Sequence, residues 1–378
     1  MHDTPCFDFV IIGGGIAGAS LAYRLAGQAS VLVLERESQP GYHATGRSAA
    51  MFMEAYGTPQ IQALTRASRA FYQQPPEGFS EHPLLEPRGC LYVANHEQLE
   101  QLQQTYDETR ARSANVSLID TDQARALVPC LRPETTAGAM LETAAQDLDV
   151  HALHQGFLRA MRRSGGTLQC DAEIVEALRA DRHWNLTLKD GQRLQARSLV
   201  NAAGAWADEV ARLCGVAPIG LQPCRRSAFT FEGPQDTDFS RWPAVIGIDE
   251  SFYFKPDAGQ LLGSPANADP VPPQDVMPEE LDIATGIYHI ENATSLNIRR
   301  PRHSWAGLRS FVADGDLVVG WDDECEGFFW LAAQGGYGIQ SAAGVSQLAS
   351  ALLLGQPIPE ELLSQGVDPQ RLAPERLR

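Results

Sequence analysis

A chain of 378 residues with 44% hydrophobic and 20% charged side chains is long enough to bury a full core and is read as two interleaved domains. Its formal net charge of -17 argues against nucleic acid or an anionic membrane surface as the main partner, so an anionic ligand must meet a local group of arginines. Lys189 and Lys255 are the only lysines, which leaves Schiff-base chemistry almost without candidates.

The first elements in chain order carry the strongest signal. Residues 8–12 are an apolar strand pattern, followed by Gly13-Gly14-Gly15-Ile16-Ala17-Gly18 and a helical pattern that runs to Gly27. Gly13 permits a tight turn, Gly15 lets a pyrophosphate approach the backbone, and Gly18 lets helix and strand pack closely. A second strand, residues 30–34, ends at Glu35, 20 residues beyond Gly15, where an acid accepts both hydroxyls of an adenosine ribose. An acid there disfavours NADP and leaves FAD or NAD. The stretch GYHATGRSAA at 41–50 then decides for FAD, because Thr45, Arg47 and Ser48 can donate to a pyrophosphate and small neighbours admit a ring system.

Further along, Asp149 is placed to cap a helix that buries Leu153, Phe157, Leu158 and Met161 on one face. Strand patterns follow at 167–170, 174–178, 185–188 and 199–203, then a second glycine-bearing turn at Gly204 and Trp206. Residues 265–278 read as a long proline-rich surface loop. Residues 327–333 form a buried strand pattern, 335–338 a turn, and 339–354 a helix stopped by Gly355. That helix would aim its positive end at a bound ring and favour negative charge there.

Seven scattered cysteines without a C-x-x-C pair read as reduced, mostly buried thiols, and nine scattered histidines without a ligand spacing give no metal site. No apolar run is long enough to span a bilayer, and no signal peptide is recognised, so a cytoplasmic protein is expected. Peripheral association with a membrane through a quinone acceptor stays open.

The glycine motif with Glu35, GYHATGRSAA, NAAGAWADEVA at 201–211, WAGLRSF at 305–311 and AAQGGYGIQ at 332–340 together resemble, in order, the D-amino acid oxidase superfamily. LQPCRRSAF at 221–229, DESFYFKPDAG at 249–259 and LLGSPANADPV at 261–271 are similar to its bacterial D-arginine dehydrogenase branch. The resemblance implies a mixed α/β (α+β) fold. A Rossmann-like FAD-binding domain would comprise residues 1–85, 147–220 and 305–378, and a substrate-binding domain on a mixed β-sheet residues 86–146 and 221–304.

It also implies non-covalent FAD, since no cysteine lies in 305–311. The cofactor would be held by Gly13, Gly15, Ile16, Ala17, Gly18, Glu35 and Arg36, then by Thr45, Gly46, Arg47, Ser48, Ala49 and Ala50. Ile174, Ala203, Gly204 and Trp206 would complete one end, and Arg309, Gly335, Gly336, Tyr337, Gly338, Ile339 and Gln340 the other. Arg309, Arg226 and the Tyr253 hydroxyl would grip a substrate carboxylate, with Tyr56 on a loop closing above them. The implied chemistry is hydride transfer from Cα to flavin N5, giving an imino acid that water converts to a 2-oxo acid and ammonia. The reduced flavin would pass its electrons to oxygen, a quinone or another acceptor, in a monomer or a homodimer.

Two positions depart from the D-arginine branch. Cys90 stands where that branch carries the carboxylate for the substrate guanidinium, and Met51 replaces a loop histidine. With Met53, Gly336 and Ile339 these residues imply a pocket for neutral or hydrophobic side chains, and Glu54 is the one substitute carboxylate on the same loop. A D-arginine or D-lysine dehydrogenase proper, a glycine- or sarcosine-type amine oxidase, and a non-enzymatic flavoprotein are the alternatives.

Overall fold

The computed structural model describes residues 4–113 and 115–378, with strands and helices numbered here along the chain. Its first sheet, of eight strands, grows from β1 (Cys6–Ile12), which runs parallel to β2 (Val31–Leu34) on one side and β12 (Arg193–Asn201) on the other. β9 (Thr167–Gln169) continues the parallel order beyond β2. β12 serves two partners on its far edge: residues 193–196 pair with β11 (His183–Leu188), itself joined to β10 (Ile174–Ala180), and residues 199–201 pair with β20 (Phe328–Ala332), backed by β19 (Val318–Trp321).

Alternation along β1 divides the core in two. Phe9 and Ile11 face a cluster that also holds side chains of α1 (Ile16–Leu25), α2 (Pro59–Gln73), α5 (Val150–Arg163) and α8 (Gly338–Leu353), whereas Val10 faces Ala207 and Ala211 of α6 (Ala207–Leu213). Helices therefore cover both faces of a largely parallel sheet, as its continuous apolar strands require. α5 forms where expected: Asp149 accepts the Ala152 N–H at 2.8 Å, and Leu153, Phe157, Leu158 and Met161 are fully buried. Removing this cap with Asp149→Ala should cost about 1 kcal/mol, read as a lower denaturant midpoint at unchanged slope.

The second sheet, of nine strands, runs β17 (Asp269–Pro270), β13 (Gln222–Phe231), β16 (Gln260–Ser264), β15 (Tyr253–Asp257), β14 (Ala244–Gly247), β5 (Cys90–Ala94), β7 (Gly138–Glu142) and β6 (Val116–Ile119). β18 (His303–Phe311) completes it along β13, in an antiparallel register from Gln222↔Phe311 to Thr230↔His303. The stretch from 305 onward, assigned by sequence to the dinucleotide unit, thus begins with a strand of the second sheet. α3 (Leu99–Arg110), α4 (Thr121–Leu127) and α7 (Glu280–Ala293) attend this sheet, and α9 (Glu360–Ser364) packs near α2. A small third sheet of β3 (Met51–Phe52), β8 (Gln146–Leu148) and β4 (Leu85–Pro87) lies between the two large ones in sequence. Among the described residues no helix is long and apolar enough to cross a membrane.

Candidate active site

The glycine motif folds as its spacing demands. Gly13 has φ +107°, and a Cβ there would stand 2.4 Å from the Ala202 carbonyl oxygen; at Gly18 a Cβ would stand 2.0 Å from the Gly13 oxygen. β1, the start of α1 and the end of β12 can meet this closely only without side chains. Gly15 brings no side-chain acceptor to the start of α1 and the first turn holds no acid, so the helix presents its positive end with only the Thr45 hydroxyl, on the Ile16 N–H, and the Glu35 carboxylate, on the Gly14 N–H, beside it. Glu35 is braced from both sides, its carboxylate accepting the Gly14 and Glu37 N–H groups at 2.9 Å each. His154, which the sequence reading left unassigned, steadies the turn through a 2.8 Å bond between its Nε2 and the Gly14 oxygen.

A cavity of about 360 Å³ opens from this turn, lined at one end by Glu35, Arg36, Ile174, Gly204 and Trp206 and at the other by Thr45, Gln334 and Gly335. The Arg36 guanidinium lies 4.4 Å from the Trp206 ring centroid, and the His43 ring 4.6 Å, which makes a flat, partly cationic wall suited to a planar base. Thr45 Oγ1 accepts the Ile16 N–H at 3.0 Å, fastening the 44–47 turn to the start of α1. Arg47 does not point at this cavity with its charge free. It donates to the Val276 and Ala306 carbonyls at 3.1 Å and pairs with Asp275 at 2.5 Å, so its first role is to tie the 265–278 loop to β18. Gly46 serves the same turn, its N–H bonding to the Gly41 oxygen at 2.8 Å.

A second cavity of about 100 Å³ shares Ala44, Thr45, Leu308, Gln334 and Gly335 with the first and continues it to Ser48, Ala49, Arg226, Tyr253, Arg309, Gly336 and Ile339. The β13–β18 register explains the pairing of arginines. Arg226 lies opposite Gly307, and Arg309 is two residues further on the same face, a diagonal cross-strand pair with room left by the glycine. Arg225, one residue away, projects to the other face and is spent on Asp282 at 2.8 Å and on Glu279. Arg226 and Arg309 have no salt bridge among the described residues. Burial pulls the Arg226 pKa down, and the nearby Arg309 adds to this. Burial also works against the charge on Arg309, but the oxygens of Tyr56 and Tyr253 outweigh it and leave its pKa raised.

Arg309 rests against the turn before α8: a Cβ on Gly336 would be 2.8 Å from its guanidinium, and the Gly335 N–H is tied to the Ser310 oxygen at 3.0 Å. Tyr56 reaches over from the loop after β3. Its hydroxyl lies 3.4 Å from Arg309 and its ring 5.0 Å from that of Tyr337. Gln340 sits behind, bonding Thr65 at 3.0 Å and receiving the Met53 N–H at 3.3 Å.

These features coincide with what comparison with known proteins finds. The family model for "FAD dependent oxidoreductase" (DAO) matches residues 8–352. The chain belongs to this FAD-dependent oxidoreductase family. Bovine FAD-dependent oxidoreductase domain-containing protein 1 is 25% identical over 398 residues, covering 92% of this chain and 81% of that protein. Among solved structures, L-proline dehydrogenase from P. horikoshii superimposes with TM-score 0.83 at 19% identity over 99% of this chain and 98% of that one. Glycine oxidase from Geobacillus kaustophilus does so with TM-score 0.82 at 21% identity, over 94% and 96%. The last two likenesses speak to the fold.

The residues present fit FAD on structural grounds. Gln334 Nε2 is buried without a hydrogen-bond partner where the two cavities join, an orphaned donor that a bound group would satisfy. The start of α1, where Gly15 brings no capping side chain, borders the same space. The glycine turn, Glu35, the Arg36–Trp206 wall and Ile174 would hold the adenosine half. Thr45, Ser48, Ala49 and the 334–339 turn, which line the small cavity, would border the ring end.

The expected side-chain pocket of this FAD-dependent oxidoreductase is arranged differently from its sequence outline. Gly336 and Ile339 border the small cavity, but Met53 and Cys90 belong to a packed apolar cluster behind Tyr56, with Met51 and Ala55 against it. Glu54 is not a free carboxylate: it is buried and paired with Arg69 at 2.6 Å. The residue that sequence reasoning missed is Glu142, the direct ladder partner of Cys90 and only 1% exposed. An isolated acid at the end of a strand pattern ordinarily signals solvent, and nothing local announces its burial. Ala50, at φ +60°, turns toward a separate surface hollow that also contains Asp147 and Lys255. Among the described residues no group of three or more His, Cys, Asp or Glu side chains is placed to hold a metal ion.

Proposed function

We propose that this chain oxidises the Cα–N bond of small D-amino acids, with neutral or hydrophobic side chains preferred, to imino acids that hydrolyse to 2-oxo acids and ammonia. Two half-buried guanidiniums, Arg226 and Arg309, which have no carboxylate partner among the described residues, carry this proposal. Such a pair in an acidic protein is stable when a ligand brings the anion, and an α-amino acid does so. A bidentate clamp by Arg309, supported by Arg226 and the Tyr253 hydroxyl, fixes the carboxylate and therefore the direction of the Cα–H bond. FAD, when bound, supplies the two-electron acceptor. The start of α8, whose N-cap Tyr337 follows Gly335-Gly336, places a positive helix end beside the turn and favours negative charge there. Tyr56 covers the clamp and keeps water from it.

No carboxylate lines the small cavity among the described residues, Glu54 being paired with Arg69, and this favours neutral side chains over D-Arg. The D-configuration is supported by the sequence segments shared with the D-amino acid oxidase superfamily. The small volume beside Arg309, about 100 Å³, favours one second reading, in which glycine or N-methylglycine is the substrate. A comparison of kcat/KM across D-Leu, D-Met, D-Arg, glycine and N-methylglycine, with 2-oxo acid measured as product, separates these. D-Leu or D-Met should exceed D-Arg by about tenfold or more, the worth of one well-matched apolar contact over an uncompensated cation. A preference for D-Arg sinks the side-chain assignment, and activity confined to glycine or N-methylglycine selects the second reading.

A further inference from the structure

The connection from β3 to α2 that carries Tyr56 is held in an unusual way. The Met53 N–H goes to Gln340, and the N–H groups of Glu54 and Ala55 both donate to Glu142 Oε1, at 2.9 and 3.2 Å. Gln62 binds the Ala55 and Gly57 carbonyls at 3.1 and 3.0 Å. Side chains, above all one buried carboxyl group, thus hold the backbone on either side of the residue that reaches Arg309.

We propose that Glu142 is a positioning residue of the reaction, holding the 53–56 segment, and with it Tyr56, over the arginines that bind the substrate carboxylate. This rests on the carboxylate clamp described above. Glu142 touches neither cavity, so it acts through the loop. The neutral acid suits the site: its carbonyl oxygen accepts both amide N–H groups, while Oε2 stands 3.5 Å from the Tyr92 hydroxyl.

Of the groups facing Glu142, the Glu54 carboxylate opposes a negative charge there, whereas the Tyr92 hydroxyl and the two loop amides donate to it. Cys90 and Tyr92 on β5 are thiol and phenol held protonated by burial, β6 contributes Val116 opposite, and Glu54 on the loop is itself a carboxylate, neutralised by Arg69 of α2. Burial, the largest cause, pushes the Glu142 pKa up to about 7, against the pull of the two amide donors. A group whose pKa is higher with the loop closed than in water favours closure at low pH and loses that contribution as pH rises through about 7.

The test is a titration of the flavin-loaded enzyme with pentanoate, a monocarboxylate without an amine, from about pH 6 to 9, followed by flavin absorbance. Affinity of the unaltered enzyme should fall by up to about tenfold per pH unit as pH rises to about 7 and level off above it. Glu142→Gln, which keeps the accepting oxygen and cannot ionise, should retain the low-pH affinity throughout. Glu142→Leu should bind more weakly at every pH, and that weakening should vanish in a Tyr56→Ala background, because the residue it positions is gone. Thermal unfolding and flavin content of the glutamine variant establish that it is folded. An unchanged pH slope in Glu142→Gln, or an equal effect of Glu142→Leu with and without Tyr56, overturns the assignment. Failure of the unaltered enzyme to bind pentanoate at any pH removes the carboxylate clamp itself, and this inference with it.

Discussion

Replacing Arg309 with alanine should lower kcat/KM for the best amino acid by about a thousandfold or more, roughly 4 kcal/mol of lost transition-state stabilisation. The size follows from the position: the guanidinium lies against Gly336, faces Tyr56 and Tyr253, and has no salt bridge among the described residues. The ligand therefore takes all of its charge. Because the clamp orients Cα–H as well as binding the anion, kcat should fall along with the rise in KM. Arg309→Lys should recover only part of the loss, since a point charge cannot make the fork. Steady-state kinetics alongside flavin content decide the matter. A loss below about tenfold with full flavin content shows that the carboxylate binds elsewhere.

The second large effect falls on the cofactor. Gly18→Val should abolish tight FAD binding, because a Cβ at residue 18 would stand 2.0 Å from the Gly13 oxygen and Gly13 itself is pinned against Ala202. Either the turn shifts or α1 moves away from β1, and overpacking of this kind costs about 3 kcal/mol. That corresponds to a weakening of FAD binding by about a hundredfold, read as flavin absorbance per protein after extensive dialysis. Retention of full flavin would mean that the close approach of α1 to β1 is not what forms the binding turn.

Both effects come from parts of the chain that the sequence makes legible, and for the same reason. β1, the glycine turn, α1 and β2 form within about 30 residues, and each local signal demands the next. α5 is equally plain, because Asp149, its cap, and the apolar face from Leu153 to Met161 lie within a few turns of helix. Arg226 and Arg309 are recognisable only through resemblance, since a ladder register brings them onto one face from positions far apart in the chain.

What the sequence hides is the fate of charges decided over long range. Arg47 looks like a phosphate donor beside Thr45, yet Asp275, 228 residues away, takes its guanidinium. Glu54 looks free, yet Arg69 from the next helix pairs with it. Glu142 looks exposed, yet β5 and β7 meet so that Cys90 lies opposite and the Tyr56 loop closes on it. In each case the partner that takes the charge comes from elsewhere in the fold. The second-sheet placement of β18 has the same origin, because pairing with β13 outweighs its neighbourhood in sequence.

Anaerobic mixing of the purified, flavin-loaded protein with matched D- and L-amino acids, followed at the oxidised flavin absorbance band, tests the central claim most directly. The account predicts rapid bleaching by D-Leu or D-Met, slower bleaching by D-Arg, and little by the L-enantiomers. No bleaching by any amino acid, D or L, with FAD bound in full would contradict it.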